Sequence, residues 1–383
     1  MSIVFQFSCQ SIILLYLESL TIFVVYFNFV FYLFMVISKE ENVIMRGFAI
    51  LLIILHNFCH WMPDCVEANE FTWSYNNIVI YLNYISHGGP HLFLNFLSHY
   101  GHYGIALFLL LSGYGLSQKY DKQTNFNSFA FLLDHAKKLL WLLLPALFIS
   151  FIVDCDLWSL QTCKSLIQLC TFTANLNPFY HFIYGPWWWF SLIMQFYVIY
   201  AFVFHNYSIK FITLFTSVIL IFNIGVTCYC WNDLDNNNSL MAYLHYNFPC
   251  SILPFYLGVL LSRINCNFSS MSWIFIVGSI VTVLGSFSAL VWCIVPLFAA
   301  ITLFVIVKFL SKFLFVNVLL QKVGKISAWI FAIHPIVRKF AIPYLDIYND
   351  YLVLITYIII TLTLAWLIHW LINKIKVVYY LFF

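Results

Sequence analysis

The chain reads as an all-α integral membrane protein with about ten core transmembrane helices and possible room for one more at its N-terminus. Three observations predict this. Of its 383 residues, 63% are hydrophobic and only 8% are charged. No soluble core of this length needs so much apolar surface; a chain that is apolar all round belongs in lipid. The few Gly and Pro residues punctuate apolar runs of about one bilayer thickness. The charges cluster between those runs and sort by sign.

Taken in order, the predicted spans are 11–37, 44–61, 104–118, 139–153, 187–204, 211–229, 248–262, 272–289, 291–308, 326–342 and 351–373. The span at 44–61 is counted as the first of the core. Placing the chain before Arg46 in the cytoplasm and alternating from there puts Lys39, Arg46, Lys119, Lys122, Lys137, Lys138, Lys210, Arg263, Lys308, Lys312, Lys322, Lys325, Lys374 and Lys376 inside. That is 14 of the 17 basic residues, the bias expected of cytoplasmic loops. Lys164, Arg338 and Lys339 are the exceptions. Nine of the 14 acids fall outside: Asp64, Glu67, Glu70, Asp154, Asp156, Asp233, Asp235, Asp346 and Asp350. A wrong span count would scramble this sorting, so it supports both count and direction.

Two domains follow: an extra N-terminal segment with a short cytoplasmic lead, 1–42, and a transmembrane domain, 43–376. The first segment is unusual. It carries Glu18 within an apolar run and no basic residue before Lys39, and neither a positive n-region nor a cleavage site is clear. It reads either as an added helix or as sequence upstream of a start at Met35.

The net charge of +3 and the lack of a basic patch leave no nucleic-acid interface. The 11 cysteines sit mostly in or near apolar spans, where Cys acts as a small hydrophobe. Cys155, Cys163 and Cys170 share one outer loop and are the set that can pair. His87, His91, His99 and His102 crowd the loop before the second core span. Structural zinc sites use closer and more regular ligands, so no metal site is predicted. These read as loop histidines or as groups lining an entrance. The middle of that loop, Ile78–Ile85, is apolar enough to lie along or dip into the bilayer.

The chemistry-bearing residues lie in four pieces. The first is the run Arg46 to His60, which carries a guanidinium, His56 and His60 in an apolar helix. Ionisable groups there are costly, and mark a functional site by default. The second is Gly104–Ser117, which ends in Ser112-Gly113-Tyr114-Gly115-Leu116-Ser117. The third is Gly185-Pro-Trp-Trp-Trp189-Phe. The fourth is Gly324-Lys-Ile-Ser followed by His334. In this order, the four resemble the membrane-bound acyltransferase 3 family over residues 44 to about 373.

The resemblance implies an O-acyltransferase. Acyl-CoA, most simply acetyl-CoA, would be the co-substrate on the cytoplasmic side, with no cofactor. The acceptor would be a hydroxyl of an exported or surface glycan, or of a lipid-linked sugar. The setting would be the cytoplasmic (inner) membrane of a bacterium. His56 or His60 would be the catalytic base, and Arg46, Ser112, Gly113, Ser117, Trp189 and His334 would bind substrate. There is one departure. The family's His falls one residue later than His56, at the position held here by Asn57. His60 lies nearer that helical face, about 4.5 Å further along the axis.

Physical chemistry reaches a similar arrangement from the residues. Acyl transfer to a hydroxyl needs a base near neutral pKa and a cation or dipole for donor phosphates or an oxyanion. Each residue alone also has a plainer reading. Arg46 serves as a snorkelling anchor, His56 as a helix-bridging donor, Ser112 and Gly113 as close-approach residues, Trp187–Trp189 as an interfacial belt, and His334 as packing before Pro335. The other function class is a non-catalytic transporter or scaffold in surface-polysaccharide assembly, although no clear pair of inverted repeats is visible.

Overall fold

The computed structural model describes residues 37–382, apart from residues 64, 67, 89–90, 155–158, 178–182 and 265–270. The segment 1–34, Met35, Cys155 and the acids Asp64, Glu67 and Asp156 lie outside the described residues. Among the described residues there is no β-strand.

The helices run α1 (Lys39–Cys59), α2 (Tyr75–Ser86), α3 (Leu92–Tyr100), α4 (Gly104–Tyr120), α5 (Ser128–Val153), α6 (Leu160–Cys170), α7 (Trp188–Ile199) and α8 (Ile209–Tyr229). There follow α9 (Leu240–His245), α10 (Phe248–Arg263), α11 (Met271–Phe287), α12 (Ala289–Trp292), α13 (Val295–Leu310), α14 (Leu314–Lys325), α15 (Ser327–Ala341) and α16 (Asp350–Phe382). Each of the ten expected core spans falls on a helix. Six stretches are long and apolar enough to cross a membrane: Lys39–Cys59, Ser128–Val153, Gly185–Phe204, Ile209–Tyr229, Leu240–Arg263 and Asp350–Lys374. The pair α14 and α15, bent by 76° at their junction, makes a seventh if it is one broken span.

Boundaries shift where local chemistry extends a helix. α1 starts before the apolar run because Ser38 and Glu41 form a capping box. Ser38 Oγ accepts from the Glu41 amide at 3.1 Å, and the Glu41 carboxylate accepts from the Ser38 amide at 2.9 Å. α5 starts at Ser128 because Asn127 accepts from the Ala130 amide. The segment 314–325, expected as a loop, is the helix α14. Its Leu320, Val323 and Gly324 make one buried stripe among lysines and amides, a pattern too short and polar to register as a span.

α1 is the centre of the bundle, packed by α3, α4, α14 and α15. Glycine sets its approach to α14: a Cβ on Gly47 would stand 2.1 Å from the Leu320 carbonyl oxygen. α4 meets α10 in the same way, through Gly113 and Gly258.

Ion pairs join groups that the charge sorting put on one side. Lys308 pairs with Glu41, and Arg263 with Asp121 at 2.7 Å, at the end holding Lys39. Lys339 pairs with the buried Asp154 at 2.8 Å, and His91 lies 3.3 Å from Asp350, at the other end. Reporter fusions within 121–127 and 311–313 are therefore expected to read cytoplasmic, and fusions within 68–73 and 232–239 external. Two reversed readings would overturn the orientation.

Candidate functional site

Two cavities meet inside the bundle. The first, about 190 Å³, is lined by Arg46, Ser112, Trp189, Tyr197 and Ser327 among others. The second, about 290 Å³, is lined by His56, Asn57, His60, Glu70 and Arg338 among others. Ile53, Ile105, Trp189 and Phe331 line both and form the wall between them.

The spacing within α1 builds this arrangement. Ile53, His56, Asn57 and His60 stand at i, i+3, i+4 and i+7, one stripe of an α-helix. His56 and Asn57 therefore flank the same stripe. Arg46 lies ten residues before His56, about 15 Å along the axis, which assigns it to the other cavity.

The His56 imidazole is 3% exposed and fixed in orientation. Its Nδ1 donates to the Ser98 carbonyl oxygen at 2.9 Å. The neutral ring then carries its lone pair on Nε2. That nitrogen faces the Glu70 carboxylate at 3.9 Å, too long for a direct hydrogen bond. A hydroxyl entering this cavity can donate its one hydrogen to Nε2 at about 2.8 Å. Gly101 allows the close packing here, since a Cβ on it would stand 2.8 Å from His56 Cβ. The His102 ring that follows is 5.2 Å from that of His56.

His60 donates from Nδ1 to the His56 carbonyl oxygen at 3.1 Å, and its ring centre lies 5.2 Å from that of His56. Both predicted histidines thus reach one cavity. Asn57 donates to the Ile53 carbonyl at 2.9 Å and accepts from Arg338 Nη1 at 2.9 Å.

The other predicted residues divide. Arg46, Ser112 and Trp189 line cavities as described, with Ser112 Oγ donating back to the Phe108 carbonyl at 2.8 Å. Gly113 faces the α10 backbone, where a Cβ would meet the Phe255 carbonyl oxygen at 2.2 Å. Ser117 is buried and donates to Asp121, which also holds Arg263 and accepts from Tyr200 at 2.7 Å. That cluster sits beside a π-helical turn, Tyr200–Phe204, whose Phe204 carbonyl accepts from Arg263 at 2.7 Å.

His334 repairs the helix. Pro335 cannot donate to the Phe331 carbonyl, and His334 Nδ1 supplies the missing donor at 2.8 Å. It is fully buried, and it steadies α15 where Phe331 forms the wall between the cavities. Gly113, Ser117 and His334 are not among the residues lining either cavity.

Two residues of the site were not singled out from sequence. Glu70 lay among the outer acids with nothing to distinguish it. Arg338 did carry a signal, because it breaks the charge sorting. Lys339, which breaks it too, is paired with Asp154, whereas Arg338 turns into the cavity.

Of the loop histidines, His87 is exposed on Asn83, and His99 bonds Ser286 at 3.1 Å. The described residues hold no group of three or more His, Cys, Asp or Glu placed to bind a metal. Cys163 and Cys170 are free thiols.

A family model described as an acyltransferase domain matches residues 44–370, most of the chain and all of the cavity-lining helices. No curated protein and no solved structure matches the chain. The match includes Arg46, His56 and His60 of α1 together with Ser112, Trp189 and Arg338, and on that coverage the chain belongs to the acyltransferase 3 family.

Proposed function

We propose that this chain is an integral membrane O-acyltransferase of about ten core spans, acting in the cytoplasmic membrane of a bacterium. It moves an acyl group, acetyl in the simplest case, from cytoplasmic acyl-CoA to a hydroxyl of an exported or surface glycan. The observation that carries this reading is the shared wall. A cavity holding a cation and a cavity holding a fixed imidazole meet at Trp189 and Phe331. The donor enters the first with its phosphates toward Arg46, whose planar guanidinium suits oxyanions. Its thioester reaches past Trp189. The acceptor hydroxyl enters the second and donates to His56 Nε2.

His56 Nε2 takes the hydroxyl proton as the oxygen attacks the thioester carbonyl carbon. The tetrahedral intermediate collapses and the C–S bond breaks; the thiolate takes up the proton that the His56 imidazolium carries and leaves as the free thiol, which restores the neutral imidazole. The products are the ester and CoA. Glu70 faces the imidazolium while it exists and stabilises it when ionised.

Removing this protein from the cells that make it is expected to lower the O-acyl content of their surface glycan; unchanged content would end the proposal. Arg46→Ala is expected to raise the acyl-CoA KM by about tenfold or more, the worth of one or two charge-assisted contacts, at unchanged membrane abundance. Arg46→Lys recovers part, since a point charge replaces a fork. Full acylation by Arg46→Ala would reduce this residue to a topology anchor.

Glu70 adds a pH dependence. Burial pushes its carboxyl up to about 7, so the ionised fraction grows as pH rises through that value. The rate is expected to fall below pH 7 in the wild type. Glu70→Gln should flatten that limb and run about tenfold slower above it, a loss near that of one hydrogen bond to a charged group. An unaltered pH profile in Glu70→Gln would exclude Glu70 from the reaction.

A further inference from the structure

The cavity that holds His56 also holds a cation that the acyl transfer itself does not use. Arg338 reaches it from α15. Its Nη1 donates to Asn57 twice, to the carbonyl at 3.1 Å and to Oδ1 at 2.9 Å. Both acceptors are neutral. Among the described residues, no carboxylate lies within ion-pair distance of the guanidinium.

The neighbouring Lys339 shows the contrast, since both carboxylate oxygens of Asp154 accept from its ammonium at 2.8 Å. Glu70, the one acid among the described residues lining this cavity, lies opposite His56. Glu70 acts on the guanidinium only from beyond ion-pair distance, and a partly buried guanidinium with no direct ion pair among the described residues is costly in a membrane protein and marks a ligand pathway.

The geometry also leaves one edge of Arg338 available. Asn57 holds Nη1, while Nη2 lies toward Gly185, where a Cβ would stand 3.8 Å away. Gly185 lines the same cavity, so its missing side chain keeps that edge open. The Trp61 ring supports the guanidinium at 5.9 Å. The same cavity is lined by the aromatic rings of Trp188 and Tyr246 and the amides of Asn69 and Asn237. A sugar ring offers C–H faces to the former and hydroxyls to the latter. Asn57 follows His56 directly, so an oxyanion held by Arg338 lies close to the hydroxyl held by His56.

We propose that the acceptor is an anionic glycan, and that Arg338 binds its carboxylate or phosphate beside the hydroxyl that is acylated. This rests on the reading that the His56 cavity receives the acceptor. Arg338 acts as a specificity residue, through the charge-assisted fork that guanidinium offers oxyanions.

The test separates the two oxyanions and needs no turnover. Unacylated surface glycan is isolated from cells lacking this protein. Three forms are compared: native, carboxyl-reduced, and dephosphorylated. Binding to the full chain in lipid nanodiscs is measured without acyl-CoA. The wild type is expected to bind one neutralised form about tenfold or more weakly than the native glycan, the worth of a charge-assisted contact; the form that weakens names the oxyanion.

Arg338→Gln is expected to bind the native glycan only as well as the wild type binds that neutralised form. Arg338→Lys should keep part of the preference. Equal binding of all three forms by the wild type, or an intact preference in Arg338→Gln, would overturn the proposal. Charge-selective binding with no transfer from acyl-CoA would remove the acyltransferase reading and leave this site standing. Transfer without charge preference would do the reverse.

Discussion

Replacing His56 by alanine is expected to abolish O-acylation, a loss of about 10²–10⁴-fold, the usual worth of a general base. His60→Ala should be milder. The two imidazoles share a cavity, so the distinction lies in what fixes each ring. His56 spends Nδ1 on the Ser98 carbonyl, which belongs to another element, and this aims Nε2 at the gap facing Glu70. His60 spends Nδ1 on the His56 carbonyl of its own helix, near the exposed Trp61. That position suits contact with the acceptor. O-acyl content at equal membrane abundance reads the contrast. An inactive His60→Ala beside an active His56→Ala would transfer the role to His60. Full activity in both would remove α1 from the chemistry and make a transporter or scaffold the better reading.

Much of the architecture was legible because lipid imposes simple rules. Apolar length marks a helix, and cations mark one side. The expected spans fall on helices for that reason, six or seven of them long and apolar enough to cross a membrane, and ion pairs such as Lys308–Glu41 and Lys339–Asp154 formed between residues sorted to the same side. The rules fail where an apolar path is broken by a bend. α14 is 12 residues long and meets α15 at 76°, so by itself it carries no span signal and registers only together with α15.

The site was legible on α1, where charge inside an apolar helix is conspicuous, and much less so elsewhere. Glu70 lies in a loop between elements and becomes significant only because α3 and α4 fold that loop against His56. Arg338 was visible as a breach of the charge rule, yet so was Lys339, and only packing separates the one paired with Asp154 from the one that lines the cavity. His334 was conspicuous for the same reason as His56. Its Nδ1 serves the carbonyl that Pro335 leaves without a donor, a role written in the adjacent residue.

The Ser-Gly segment of α4 offers the sharpest separation of packing from substrate binding, and here substitution is expected to cost the fold. Gly113→Ala places a methyl 2.2 Å from the Phe255 carbonyl oxygen, and Gly258→Ala places one 2.0 Å from the Leu110 carbonyl oxygen. In both cases the obstacle is backbone, which no rotamer change relieves. Overpacking typically costs about 1–3 kcal/mol, and a contact between two main chains belongs at the upper end. The α4–α10 contact also holds Phe196, Tyr200 and Phe255 in one buried cluster, so its separation loosens the helices on both sides of the first cavity. Gly115→Ala is the internal control. It lies two residues away in the same helix, nothing stands within 4 Å of its added Cβ, and alanine is the better helix former by about 1 kcal/mol. Size-exclusion profiles of detergent extracts, taken after stepwise heating, are expected to show Gly113→Ala and Gly258→Ala lost at lower temperature than the wild type, and Gly115→Ala lost no earlier. A Gly113→Ala protein that is as heat-resistant as the wild type but inactive would instead make this glycine part of the substrate site.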